Sequence, residues 1–143
     1  MAEIRTETTI PAPPARVWRE LADTAAYPEW NTLVTAVSGA PEEGGAIRIR
    51  LNVGMLPALW VPVRVETFRP PERFCWSLTL PFGLFRAEHC FSLAAAPGGG
   101  TRFQNTERFT GLLGGLAGAL MNRFFRQDYA GMDRALAVRV AGR

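Results

Sequence analysis

The chain has 143 residues, 48% hydrophobic and 20% charged, which is the balance of a single globular domain rather than a disordered one. Its 16 basic residues exceed 13 acidic ones for a net charge of +3, and all 16 are arginine, so Schiff-base and lysine-nucleophile chemistry are excluded. The arginines are scattered rather than massed, which argues against a nucleic-acid groove.

Residues 3–10, EIRTETTI, alternate polar and β-branched side chains and predict a first strand that Pro11 closes. PAPPARVWRELAD then predicts a helix, because proline is tolerated in a first turn, with Val17, Trp18 and Leu21 as its apolar stripe. TAAYPEWN reads as a second short helix or turn, broken at Pro28. Strands are predicted over 32–38, 46–53, 59–68, 73–80, 84–94 and 101–110, separated by the turn signals APEEGG, GMLP, RPPE, PFG and APGGG. The glycines of APGGG join two strands, so they mark a turn and not a phosphate cradle. A long helix is predicted from about Leu116 to Val140. Met121, Phe125, Met132, Leu136 and Val140 lie along one of its sides, and Leu113, Ala117, Leu120 and Phe124 along the adjoining one.

GLLGGLAGALM, residues 111–121, is apolar but too short to span a bilayer, so no integral membrane segment is expected. The same glycines suggest a loose helix start that gates whatever lies beneath it. No signal peptide is read at the N-terminus. Two cysteines and one histidine, with no Cys-x-x-Cys, make neither a zinc site nor a disulfide framework. The expectation is a bacterial cytoplasmic protein with free thiols at Cys75 and Cys90 and with no metal or cofactor.

With no repeat and no linker, residues 1–143 read as one domain. Short turns between successive strands argue for an antiparallel meander, and one that large curls. The fold class expected is α+β: a curved antiparallel sheet of about seven strands, two short helices after the first, and the long C-terminal helix on the concave side.

The only histidine, His89, shares a strand face with Phe91 and Leu93. On the next strand Phe103, Asn105, Glu107 and Phe109 share a face. Matching the apolar faces places Leu93 opposite Phe103, Phe91 opposite Asn105 and His89 opposite Glu107, with Glu88 facing Arg108 on the outer side. The PFG turn sets Trp76 opposite His89, and Cys75 opposite Cys90. A two-residue slip would also match the faces. A His89–Glu107 pair is suited to acid–base chemistry, to holding a ligand's polar group, or to satisfying itself in a core. Cys90 points away from His89 and is no nucleophile beside it.

Taken together, IPAPPARVWRELADTAAYPEWN, AEHCFSL, GGGTRFQNTERFTGLL and the amphipathic C-terminal helix resemble the START-like or SRPBCC superfamily, which includes polyketide cyclases and lipid-transfer proteins. The resemblance covers nearly the whole chain. It implies the helix-grip fold with a cavity between sheet and helix, and therefore an apolar ligand rather than any particular reaction. On that basis Trp30, Trp76, Phe91, Phe103, Met121 and Phe124 are expected as apolar wall, and His89, Asn105 and Glu107 as orienting groups. Trp30 equally serves as a staple for the short helix, with Asn31 bonding the backbone at its turn. The function expected is binding of a lipid, polyketide or aromatic-type ligand. The alternatives are a cyclase or dehydratase using His89 and Glu107, and a protein-interaction module with a closed cavity. A homodimer surface stays open.

Overall fold

The computed structural model describes residues 2–142. Strand β1 (Ala2–Ile10) is followed by helix α1 (Pro14–Ala22), which begins on Pro14 because a first-turn residue needs no N–H partner. A short 3-10 helix over Thr24–Glu29 ends where the Trp30 N–H donates to the Tyr27 carbonyl. Strands β2 (Val34–Ser38), β3 (Ala46–Leu51), β4 (Leu59–Arg69), β5 (Arg73–Leu80), β6 (Phe85–Ala95) and β7 (Thr101–Thr110) follow, and α2 (Gly114–Ala141) closes the chain. Element order and kind agree with the sequence reading. The last helix starts two residues earlier than expected.

The strands form one antiparallel sheet in the order β1-β7-β6-β5-β4-β3-β2. β1 therefore pairs with the last strand, and the two segments between β1 and β2 cross from one sheet edge to the other. Pairing slips between Val34 and Ala36 and between Val65 and Thr67, where irregularities of this kind add bend and twist. The curled sheet wraps α2, whose Tyr129, Met132, Leu136 and Val140 are buried against Ile4, Phe91, Phe103 and Phe109. This is the helix-grip arrangement.

The register is the one that face-matching predicts. Leu93 lies opposite Phe103, Phe91 opposite Asn105, His89 opposite Glu107 and Trp76 opposite His89. Glu88 is likewise opposite Arg108, but the ion pair expected there does not form. Arg108 reaches Glu3 at 3.8 Å and Glu88 takes Arg86 at 3.3 Å, each finding a nearer partner along or across the sheet.

Cys75 and Cys90 correct the expectation of free thiols. They face each other on the outer side with 4.1 Å between Cα atoms and form a disulfide. That spacing belongs to the narrow kind of antiparallel pair, where side chains stand closest.

Two glycines of the β7–α2 segment stand where a side chain would collide. Gly111 has φ +89°, and a Cβ there would stand 2.9 Å from the backbone of Gly83 and Phe85. A Cβ on Gly118 would meet the Ala2 Cβ at 2.3 Å and the Phe109 ring at 3.0 Å. Gly111 thus lets the chain pass close to the β5–β6 turn, and Gly118 lets α2 approach β1 and β7.

Candidate functional site

A cavity of about 300 Å³ lies between the N-terminal half of α2 and the inner face of β3–β7. Its apolar wall includes Ile49, Val61, Trp76, Phe85, Ala117 and Met121, and among the described residues that line it His89 and Glu107 are the ionisable ones. A wider depression of about 470 Å³ sits on the outer side of β4–β6, but Arg64, Glu66, Thr79 and Arg86 line it. That charged, open surface suits an apolar ligand poorly. The apolar cavity is the candidate site.

The polar end of this cavity is one connected network. The Asn105 amide nitrogen lies 3.0 Å from Asp133 Oδ1 and 3.3 Å from the Tyr129 carbonyl oxygen. A carbonyl oxygen only accepts, so the amide nitrogen belongs on that side and Oδ1 faces His89. The His89 Nε2 is 2.6 Å from Asn105 Oδ1, and must therefore carry the hydrogen and donate it. In the neutral imidazole this leaves Nδ1 as an acceptor. Nδ1 stands 3.8 Å from Glu107 Oε1, which accepts the hydroxyl hydrogen of Tyr129.

His89 and Glu107 thus face each other without the direct hydrogen bond that the sequence suggests. Each is held by a third residue instead. The His89 ring also stacks on Tyr129 at 5.4 Å and lies 5.4 Å from the Trp76 ring. Burial, then the charge of Glu107 and the hydrogen bond to it, raise the Tyr129 phenol well above its ordinary range, so it stays a donor. Burial likewise raises Asp133, against the opposing pull of Thr6, Asn105, His89 and Arg134.

Of the nine residues expected at the site, Trp76, His89, Glu107 and Met121 line the cavity. Asn105 does not reach it; fully buried, it fixes the imidazole from behind. Phe91 and Phe103 share the inner face but lie one layer further along the strands, stacked on each other at 6.0 Å and closed off from the cavity. Two residues of strand advance about 6.6–6.8 Å, enough to carry them into the core beneath the second half of α2. Trp30 is at the other half of α2, against Tyr27 at 5.2 Å and beside Arg134 and Val138. Its staple role fits that position, and Asn31 Oδ1 accepts from the backbone of Leu33 and Val34 at 3.0 and 2.9 Å. Phe124 is a correction, because it is 62% exposed on the outside of α2.

Tyr129 and Asp133 are the residues that sequence reasoning missed. Their signal was present, since they continue the Met121–Phe125 stripe at helical spacing and are polar residues inside an apolar face.

The whole sequence from residue 1 to 141 matches the family described as polyketide cyclase / dehydrase and lipid transport. The chain belongs to this family. Among solved structures it is similar to TTHA0849 from Thermus thermophilus, with 26% identity, TM-score 0.72 and coverage of 98% of this chain and 97% of that one. It is also similar to a START superfamily protein from Mycobacterium smegmatis, at 17% identity and TM-score 0.73 over 99% of both chains. DynU16, from the dynemicin biosynthetic locus, matches at 16% identity and TM-score 0.71 over 99% of this chain and 48% of its own. No curated protein matches significantly in sequence. The likenesses at 17% and 16% identity concern the fold, and membership of the polyketide cyclase / dehydrase and lipid-transport family fits ligand binding in general. No described helix is long and apolar enough to cross a membrane.

Proposed function

We propose that the protein binds a small, largely apolar molecule of lipid, polyketide or aromatic type in the cavity, with a hydroxyl of that molecule held between His89 and Glu107. The observation that carries this reading is an apolar cavity of about 300 Å³ whose two ionisable side chains stand together at one end. That volume is at the small end of ligand pockets, enough for a compact ring system or a short acyl chain. With the imidazole neutral, the polar end presents two acceptors, the His89 Nδ1 and the Glu107 carboxylate, 3.8 Å apart. A ligand hydroxyl or phenol can donate to either, whereas a bare ketone finds only acceptors. The open cavity supports this reading over a closed interaction module.

A second reading keeps its place on one observation: both groups of an acid–base couple front the same cavity. In that reading, which agrees with the cyclase / dehydrase half of the family description, Glu107 and His89 exchange a proton with a bound polyketide.

Native mass spectrometry of protein from its own host, together with titration of an apolar fluorescent probe, tests the binding reading. About one probe per chain should bind, and hydroxylated aromatics should displace it better than their ketone or methyl-ether counterparts. His89→Leu should remove that preference while leaving probe binding in place. If wild type takes up no apolar probe, the binding reading is lost; conversion of a bound polyketide would move the assignment to the enzyme.

A further inference from the structure

Several apolar side chains near the cavity mouth are exposed among the described residues. Three segments meet there. Residues 111–113 bond to the β5–β6 turn through Leu112 N–H to the Gly83 carbonyl and Leu113 N–H to the Leu84 carbonyl, at 3.0 and 2.9 Å. The loop before β4 reaches α2 through Gly54 N–H to Asp128 at 3.2 Å. Leu59 is 63% exposed and also lines the cavity, so the cavity opens onto this surface.

Met55 and Phe82, at the tips of two of these segments, are fully exposed. Phe82 also has φ +64°, the one residue other than glycine with positive φ among those described. Glycine, asparagine or aspartate adopts that backbone far more readily than phenylalanine. A phenyl ring held there in water, at a cost to the backbone and with no packing to offset it, points to something outside the chain. Leu112 and Leu116 are exposed as well, around the start of α2. Scattered apolar residues need no explanation, but exposed ones gathered on segments that border one apolar cavity do.

Charge distinguishes among occupants. Residues 52–60, 80–85 and 111–122 contain no charged side chain. Of the charges near them, Arg86 is paired with Glu66 and Glu88, Arg108 with Glu3, and Asp128 accepts from Gly54, which leaves Arg123 and Arg126 on α2 as exposed cations. Arg123 lies over the Phe124 ring at 5.5 Å and Arg48 over the Trp60 ring at 5.9 Å. Arg123 and its neighbour Arg126 are exposed and make no ion pair among the described residues. A second copy seated symmetrically on this face would set arginine against arginine. An apolar centre with cations beside it instead complements the interface of a bilayer carrying anionic headgroups.

We propose that this face docks reversibly on an anionic lipid surface, with Met55 and Phe82 entering the acyl boundary and Arg123 and Arg126 meeting the headgroups. The inference stands on exposed side chains and does not depend on what the cavity binds. The test is co-sedimentation of the full chain with vesicles of phosphatidylcholine alone and with part of it replaced by phosphatidylglycerol, at low and high salt. Binding should favour the anionic vesicles and weaken with salt. Met55→Asp and Phe82→Asn should each weaken it by roughly tenfold or more. Phe82→Asn should leave the melting temperature unchanged or raise it, since asparagine tolerates positive φ, so loss of binding cannot be ascribed to misfolding. The proposal is overturned if the protein stays in the supernatant with both compositions, if both vesicles bind equally, or if both variants bind as wild type. A dimer in light scattering that Phe82→Asn converts to monomer, without vesicle binding, would assign the face to a second copy and overturn it too.

Discussion

Asp133 shows how a side chain outside the cavity sets the chemistry inside it. It holds Asn105 in one orientation, Asn105 holds the His89 Nε2 hydrogen, and Nδ1 is thereby turned toward Glu107. Burial raises the pKa of Asp133 above the ordinary 3.8, so the folded state keeps its proton longer than the unfolded chain does. Between the two values the native protein binds more protons, which means that stability contributed by this group is present at lower pH and falls as pH rises through that window. Asp133→Asn should remove that dependence. Its amide oxygen still accepts from Asn105, and no charge is buried. The variant is expected to match or exceed wild-type stability at neutral pH, with the difference between the two shrinking toward pH 3. Thermal unfolding followed across pH 3–8 checks this, and a wild type whose stability relative to the variant grows with pH would contradict it.

At the scale of elements, the sheet was legible because its side chains alternate strictly. Matching Phe91 and Leu93 to the face of Phe103 and Asn105 excludes a slip by one residue, which would turn every one of them to water. It leaves only registers two residues apart, of which the fold adopts the one with His89 opposite Glu107. The helix was legible only as a helix. Its rotation against the sheet was not, because apolar residues run down two adjoining sides and the pattern alone does not say which side is gripped. Residues 121 and 124 differ by about 60° around the axis, and that angle separates a cavity wall from an exposed ring. Close approach at Gly118 and Gly114 decides the rotation, bringing the Met121–Tyr129–Asp133 side inward. The two glycine substitutions should therefore differ in sign. Gly118→Ala gains helix propensity but drives a methyl into Ala2 and Phe109, for a net loss of about 1–3 kcal/mol. Gly115→Ala meets nothing within 4 Å and should stabilise by about 0.5–1 kcal/mol. Denaturant unfolding of both variants measures the pair, and equal effects would mean that the helix is not seated by this contact.

Across the whole molecule, stability and binding draw on the same place. An apolar cavity that holds no side chains forfeits the dispersion contacts its walls would otherwise make, so the unliganded protein is less stable than a filled version of the same fold. Any ligand that binds only the folded state restores part of that loss, by about 2.7 kcal/mol when present at 100 times its dissociation constant. Ala117 offers a way to separate filling from binding. It lines the cavity from α2, is only partly exposed, and is not part of the His89 network. A phenylalanine there can turn its ring into the void without displacing a core residue. Ala117→Phe should then raise the melting temperature without ligand, by an amount reflecting roughly 1–2 kcal/mol of newly buried ring. It should also abolish the further rise that an apolar probe gives to wild type. Paired thermal scans with and without probe make the comparison. A variant that is destabilised shows a cavity already closed in solution, and one that still gains stability from probe shows that the ligand sits elsewhere.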